Sequence, residues 1–374
     1  MKWMLRYRAE DYASLCALTY FDIPEYRKGM LFSTYLEQCF LKGYKENDFY
    51  QRLYDYVMKQ NFYDFMDLEI VNYVNENNHS GLVFYQLEDK DDCYLIYRGS
   101  ESYDAVDHEN GWEDWLDNLE IWLGVTHQQL RAMKYFNSLH TNKRLHLIGH
   151  SKGGNLALFL GVVCSNEKLA QIDEIVTFNA PGINDDMMQQ YKKRIDDIHF
   201  KNKLLCIENE NDPVSSMFSH VKEPVLVASL CKGLSVTEAY ESHQIWAYEK
   251  VDGCFVSAAK KSILAKLADL VSNHFVNLLD EENKKKLVHK FMEYCQNDCS
   301  LEEMYHVVLY NIGIHQNLLS EDEDFRSVEI QTLMSLFQKE MKEKVISIPE
   351  NVRISFDEVK DKVGSWVSQV GKKQ

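Results

Sequence analysis

The sequence has little that would tie it to a membrane, a nucleic acid or an oxidising compartment. No window of the 374 residues reaches the ~18 consecutive apolar residues that a helical membrane span requires. The opening stretch MKWMLRYRAEDYASL carries charge throughout and has no continuous apolar segment of the kind a cleaved secretion signal needs. Basic charge is scarce: 41 Lys and Arg stand against 58 Asp and Glu, a formal net charge of -17. That field repels phosphate backbones and anionic headgroups, and no local basic patch reverses it, so nucleic acid is disfavoured as a general partner. Cysteine pairs are missing as well. The nine Cys stand singly, at Cys16, Cys39, Cys93, Cys164, Cys206, Cys231, Cys254, Cys295 and Cys299, with no C-x-x-C and an odd total. This is the usage of reduced thiols and predicts a cytoplasmic location. No internal repeat and no low-complexity linker interrupts the chain.

What is present is an ordinary globular composition, 45% hydrophobic, 12% aromatic and 26% charged, on a chain long enough to bury a large core. Residues 8 to 80 show helical spacing of apolar groups, as in DYASLCALTYF and FLKGYKENDFYQRLYDYVMKQ. From about residue 82 the pattern changes to short β-rich runs: GLVFYQLE, CYLIYRG, LHLIGH, EIVTFNAPG, KLLCIENENDPV and EPVLVASL. Several are too apolar to alternate, and HQQLRAMKYFNSL and GNLALFLGVVCSN lie between them with helical period. Apolar strands alternating with helices predict an α/β fold with a buried, mostly parallel sheet. Beyond about residue 255 helical period returns. We therefore expect a helical region over 1–80, an α/β core over 81–254 and a helical region over 255–374. The helical ends can act as a cap or as a docking surface. Val359, Val363, Trp366, Val367 and Val370 share one face of a terminal helix, better explained by packing on its own domain than by membrane contact.

The segment LHLIGHSKGGNLALFLG concentrates the chemistry. A Ser hydroxyl attacks a carbonyl only when a base takes its proton and donors receive the oxyanion. A strand that turns sharply into a helix exposes the hydroxyl beside free backbone N–H groups, and the tight turn requires small neighbours. Here RLHLI is the strand, Gly149 and Gly153 bracket Ser151, Gly154 relieves crowding, and NLALFLGVVC is the helix. G-x-S-x-G in that setting marks Ser151 as a nucleophile rather than a simple helix cap, and the Lys152 N–H as one oxyanion donor. A second donor is expected from the turn after CYLIY, where Gly99 can turn the Ser100 N–H or hydroxyl inward; a solvated turn Ser is the competing reading.

These residues carry a resemblance. The strand ending in YRGS, the W-x-D-W-x-x-D cluster in GWEDWLDNL, the elbow GHSKGGNLA, FNAPGI and ENDPV resemble the ordered landmarks of class 3 (fungal-type) lipases. They are closer still to an uncharacterised bacterial group of α/β-hydrolase proteins related to those lipases. The resemblance spans roughly residues 80 to 250. It implies an α/β-hydrolase fold, with Ser151 as nucleophile and Ser100 and Lys152 at the oxyanion hole, and says little about substrate; the helical ends lie outside it.

In such a fold the acid follows a strand downstream of the nucleophile and the His follows the acid. Asp212, after KLLCIENEN and before Pro213, sits at a strand's C-terminal end, where the ligand crevice of an α/β sheet lies. Glu208 and Glu210 are the alternatives. Downstream are His220, His243, His274, His289, His306 and His315. His243, in EAYESHQIWAYE, falls in a polar loop between two β-like runs and is preferred to His220, which precedes a strand still to come. The stretch ESYDAVDHENGWEDWLDNLE holds eight carboxylates and His108, but without the spacing of a metal loop, so we expect no metal and no cofactor. Trp112, Trp115 and Trp122 are read as core. The predicted function is a cytoplasmic serine hydrolase acting on carboxylic esters. Its rivals are a serine peptidase or amidase on the same triad, and an inactive scaffold that binds a partner.

Overall fold

The structure of the protein is a computed structural model. It describes residues 6–23, 25–42, 48–76, 81–100, 117–118, 120–233 and 236–269, with isolated positions beyond 270. The acidic stretch up to residue 116, with His108, Trp112 and Trp115, lies outside the described residues. So do His274, His306, His315 and the apolar face from Val359 to Val370. The chain divides into two compact units, Met1–Asp269 and Leu270–Gln374, and all elements named below belong to the first.

An eight-stranded sheet organises this unit, with the strands lying side by side in chain order. They are β1 (Met30–Leu31), β2 (Glu69–Asn75), β3 (Val83–Glu88), β4 (Asp92–Tyr97), β5 (Arg144–His150), β6 (Ile172–Phe178), β7 (Leu204–Asn209) and β8 (Val225–Val227). From β1 to β4 the neighbours are antiparallel; from β4 to β8 they are parallel, with Leu95 and Ile175 flanking Leu147. Strands β4 and β7 are buried at every position, and β5 and β6 at all but one. Their near-continuous apolar runs are explained by cover on both faces.

The side-chain alternation of each strand divides the core in two. Tyr94, Ile96, Ile148, Val176 and Phe178 face one layer, where they meet Tyr12, Leu15 and Leu18 of helix α1 (Ala9–Leu18) and the aromatic side chains Phe21, Phe32, Tyr35 and Phe65. Leu95, Tyr97, Leu145, Leu147 and Ile175 face the other, packing on Leu156, Phe159 and Leu160 of the helix Lys152–Val163 and on Ala132 and Phe136 of the helix His127–Ser138. Each fully buried side chain of this size contributes roughly 1.5–3 kcal/mol. The helix His127–Ser138 starts on a reciprocal cap, in which Thr126 accepts from the Gln129 backbone and Gln129 accepts from the Thr126 backbone.

This mostly parallel, helix-flanked sheet is the α/β-hydrolase architecture expected above. One expectation is corrected. The region read as helical contains β1 and β2, and β2 pairs antiparallel along the whole of β3. Its sequence EIVNYVN is short, β-branched and aromatic. Tertiary pairing with an apolar strand, rather than local period, decides such a segment.

Candidate active site

The chain leaves β5 at His150 and enters the helix at Lys152, and the single residue between, Ser151, has φ 57° and ψ -128°. A positive φ in a residue with a side chain is strained and persists only where the surroundings impose it. They do so here through close approach. A Cβ on Gly149 would lie 2.2 Å from the Gly153 backbone, and one on Gly153 would lie 2.2 Å from the Tyr97 carbonyl. Strand, turn and helix therefore pack tightly enough that only glycine fits at both positions. The Ser151 N–H donates to the Phe178 carbonyl at 2.8 Å, which ties the turn to the end of β6.

Three side chains from separate parts of the sheet's C-terminal edge converge on this turn. His243 Nε2 lies 2.8 Å from Ser151 Oγ, and His243 Nδ1 lies 2.9 Å from Asp212 Oδ2. Asp212 is fully buried just beyond β7, and its carboxylate accepts N–H groups from Val214 at 2.8 Å and Ser215 at 3.2 Å. With the carboxylate as acceptor, Nδ1 carries the imidazole proton and Nε2 is left to accept the serine hydroxyl. His243 closes the helix Val236–His243, in place of the polar loop expected for it. The other candidate lies elsewhere: His220 Nε2 is hydrogen-bonded to Glu208 Oε1 at 2.8 Å, and Glu208 Oε2 is ion-paired with Lys261 Nζ at 2.9 Å. Glu210 accepts from the Ser229 N–H at 3.2 Å.

The oxyanion candidates meet at the pair Asp117–Asn118. Asn118 Nδ2 donates to Ser100 Oγ at 2.8 Å, an arrangement that leaves the Ser100 proton free to be donated. Lys152 Nζ lies 3.1 Å from Asp117 Oδ2, with side chains 3% and 1% exposed, while Asp117 Oδ1 accepts the Gln128 N–H at 3.2 Å. The Lys152 N–H stands in the first helical turn, where backbone donors have no intrahelical partner. Trp122 packs against Phe218, with ring centroids 5.4 Å apart.

The model of one protein family, described as Mbeg1-like, matches residues 59–293. The chain belongs to the Mbeg1-like family. No curated protein matches it. Among solved structures, the Mbeg1-like chain is similar to the Lip2 lipase from Yarrowia lipolytica at 15% identity, covering 58% of this chain and 77% of that one, with a TM-score of 0.31. It is similar to a triacylglycerol lipase from Penicillium expansum at 16% identity, covering 44% and 70%, with a TM-score of 0.25. For the triacylglyceride lipase of Rhizomucor miehei the identity is 13%, the coverage 59% and 78%, and the TM-score 0.30.

Several residues that support the site in this Mbeg1-like protein escape a reading of motifs. Asn179, at φ 46° after β6, donates to the His243 carbonyl at 2.9 Å and accepts the Asn209 N–H at 2.8 Å. Asn209 Nδ2 in turn donates to the Ala247 carbonyl at 3.2 Å. These amides join the ends of β6 and β7 to the segment that carries His243. The residues FNAPG and ENEND supply the signal, since Asn at strand ends commonly bonds nearby backbone. Among the described residues no group of His, Cys, Asp and Glu has the arrangement of a metal site, and no helix is long and apolar enough to cross a membrane.

Proposed function

We propose that Ser151, His243 and Asp212 act as a nucleophile, base and acid that hydrolyse carboxylic esters through an acyl-enzyme. The observation that carries this reading is the continuous chain of hydrogen bonds from Ser151 Oγ through both His243 nitrogens to the buried Asp212, at 2.8 and 2.9 Å. His243 Nε2 accepts the Ser151 proton as Oγ bonds to the ester carbonyl carbon, and Asp212 holds the imidazole in its tautomer and stabilises the imidazolium. The Lys152 N–H and Ser100 receive the charge that develops on the carbonyl oxygen. The imidazolium then protonates the leaving alkoxide. Water, deprotonated by His243, attacks the acyl-enzyme and releases the acid and free Ser151. The substrate class is a small-molecule or lipid ester. A reducing cytoplasm suits the thiols, of which Cys16, Cys39, Cys93, Cys164, Cys206, Cys231 and Cys254 are free.

Labelling with a fluorophosphonate probe and mapping the adduct tests this reading. An adduct on Ser151 that disappears in His243→Ala, with turnover of p-nitrophenyl esters abolished in Ser151→Ala, is the expected result. Undiminished ester turnover by Ser151→Ala removes the mechanism, cleavage of p-nitroanilides but not esters reassigns the site to amide hydrolysis, and absence of any adduct leaves a non-catalytic scaffold.

A further inference from the structure

His150 ends β5 immediately before Ser151, yet the reaction above makes no use of its side chain. The residue is buried and both ring nitrogens are engaged. Nε2 lies 2.9 Å from the backbone carbonyl of His243, which can only accept, so Nε2 carries the proton. Nδ1, 3.1 Å from the Tyr20 hydroxyl, is then the acceptor of the Tyr20 proton. Burial, with the adjacent His243 ring, pushes the His150 pKa down to about 3, and the ring keeps this one neutral tautomer wherever a histidine base operates.

The carbonyl that His150 grips is the terminal carbonyl of the helix Val236–His243, a group left without an intrahelical partner. Asn179 Nδ2 is its second donor, at 2.9 Å. Asp212 therefore fixes the His243 ring, while His150 and Asn179 fix its backbone. Tyr20, 6% exposed, follows α1, whose Tyr12, Leu15 and Leu18 are buried in the core with Tyr94, Ile148 and Val176 of the sheet. Its hydroxyl also fills the space beside the loop that carries Ser100, because a Cβ on Gly99 would lie 2.3 Å from it. One phenol thus touches the surroundings of both the base and the oxyanion candidate.

We infer that Tyr20 and His150 are a positioning pair for His243, so that the segment ahead of the family-matched span 59–293 is an integral part of the active site. The inference rests on the assignment of Ser151 and His243 proposed above. Rigid alignment is worth this much structure because small misplacements of a base lower the rate without altering substrate affinity.

The test uses the full chain and the variants Tyr20→Phe, His150→Gln and His150→Leu. For each, the rate of Ser151 labelling by the fluorophosphonate, its final stoichiometry, and kcat and KM on a p-nitrophenyl ester are measured. Tyr20→Phe and His150→Leu are expected to lower kcat and the labelling rate about 5- to 30-fold, the effect of losing one or two net hydrogen bonds, with KM within about twofold and full final stoichiometry. His150→Gln, whose amide nitrogen can occupy the place of Nε2 and still donate to the His243 carbonyl, is expected to recover most of the loss. A merely structural role predicts a lower labelled fraction reacting at the wild-type rate, and that outcome overturns the inference. So does labelling of Tyr20→Phe and His150→Leu at the wild-type rate while the wild type is labelled on Ser151. If His150→Leu does not fold, the near-isosteric Tyr20→Phe decides in its place. Failure of the wild type to label removes the proposed reaction and this inference with it.

Discussion

Replacing Asp117 by Asn removes one charge from a pair that is almost completely sealed from water. The Lys152 ammonium and the Asp117 carboxylate lie 3.1 Å apart with side chains 3% and 1% exposed. Asn keeps an oxygen to accept the Gln128 N–H, so the change isolates the charge from the hydrogen bond. What remains is a buried ammonium without its carboxylate. Breaking such a pair from one side costs about 3–5 kcal/mol, because the desolvation of the surviving ion is no longer offset. Lys152 keeps a further interaction, which places the expected loss at about 3 kcal/mol. At roughly 2–4 °C per kcal/mol for a body of this size, Tm falls by about 6–12 °C. Urea unfolding followed by tryptophan fluorescence measures the loss directly. The double variant Asp117→Asn with Lys152→Met removes both charges and is expected to recover most of it, giving a coupling energy of at least about 1.5 kcal/mol. An Asp117→Asn variant within about 0.5 kcal/mol of the wild type would mean that burial of the unpaired ammonium costs nothing, which contradicts the pair's assigned role.

Other outcomes follow from the same geometry. Asp212→Asn leaves the fold intact but turns a carboxylate into an amide that can stabilise the wrong imidazole tautomer; kcat on esters is expected to fall about 10³- to 10⁴-fold, and a loss under tenfold would remove Asp212 from the role of acid. Ser100→Ala is expected to lower kcat about 10²-fold if the hydroxyl serves the oxyanion, whereas an unchanged kcat would assign that donor to the Ser100 backbone N–H. His150 gives an acid limb to stability. Its folded pKa, about 3, lies below the unfolded value, so below the ordinary histidine range the unfolded chain binds a proton that the native chain refuses. Stability is therefore lost as pH falls toward 3, by up to about 4 kcal/mol from this group, and His150→Gln should flatten that part of a pH–stability curve. His146 has the opposite sign. Burial opposes its charge, but Glu174 at 2.7 Å and Asp92 at 2.9 Å outweigh it and raise the pKa, so its contribution is complete at low pH and lost as pH rises through the folded value. His146→Gln should consequently flatten the alkaline side of the same curve.

The turn at Ser151 is legible because its environment is steric and local. A turn in which Gly149 and Gly153 almost touch permits few residues, and strand and helix adjoin it in sequence. The position of Asp212 just past β7 is legible for a related reason, as the end of an apolar strand is fixed by the strand. For the histidine, chain order prefers His243 to His220 without fixing the contacts of either. His220 and His243 both follow Asp212 in polar surroundings, and only the path of the chain places one against Ser151 and the other against Glu208 and Lys261. His243 even occupies a helix end where loop residues were expected, because the eight-residue helix is too short to announce itself by period. Strand β2 was hidden in the same way, since its conformation is decided by pairing with β3.

The class of fold and the strand-turn-helix elbow around Ser151 are set by the sequence alone, because both depend on short spacings and on local steric limits. Tertiary structure decided which histidine meets the serine and that Lys152 finds Asp117. It also decided that Tyr20, 130 positions before His150, reaches the His243 carbonyl through that ring. Those contacts join residues far apart in the chain, and their partners are selected by packing on a sheet rather than by any local preference of the residues themselves.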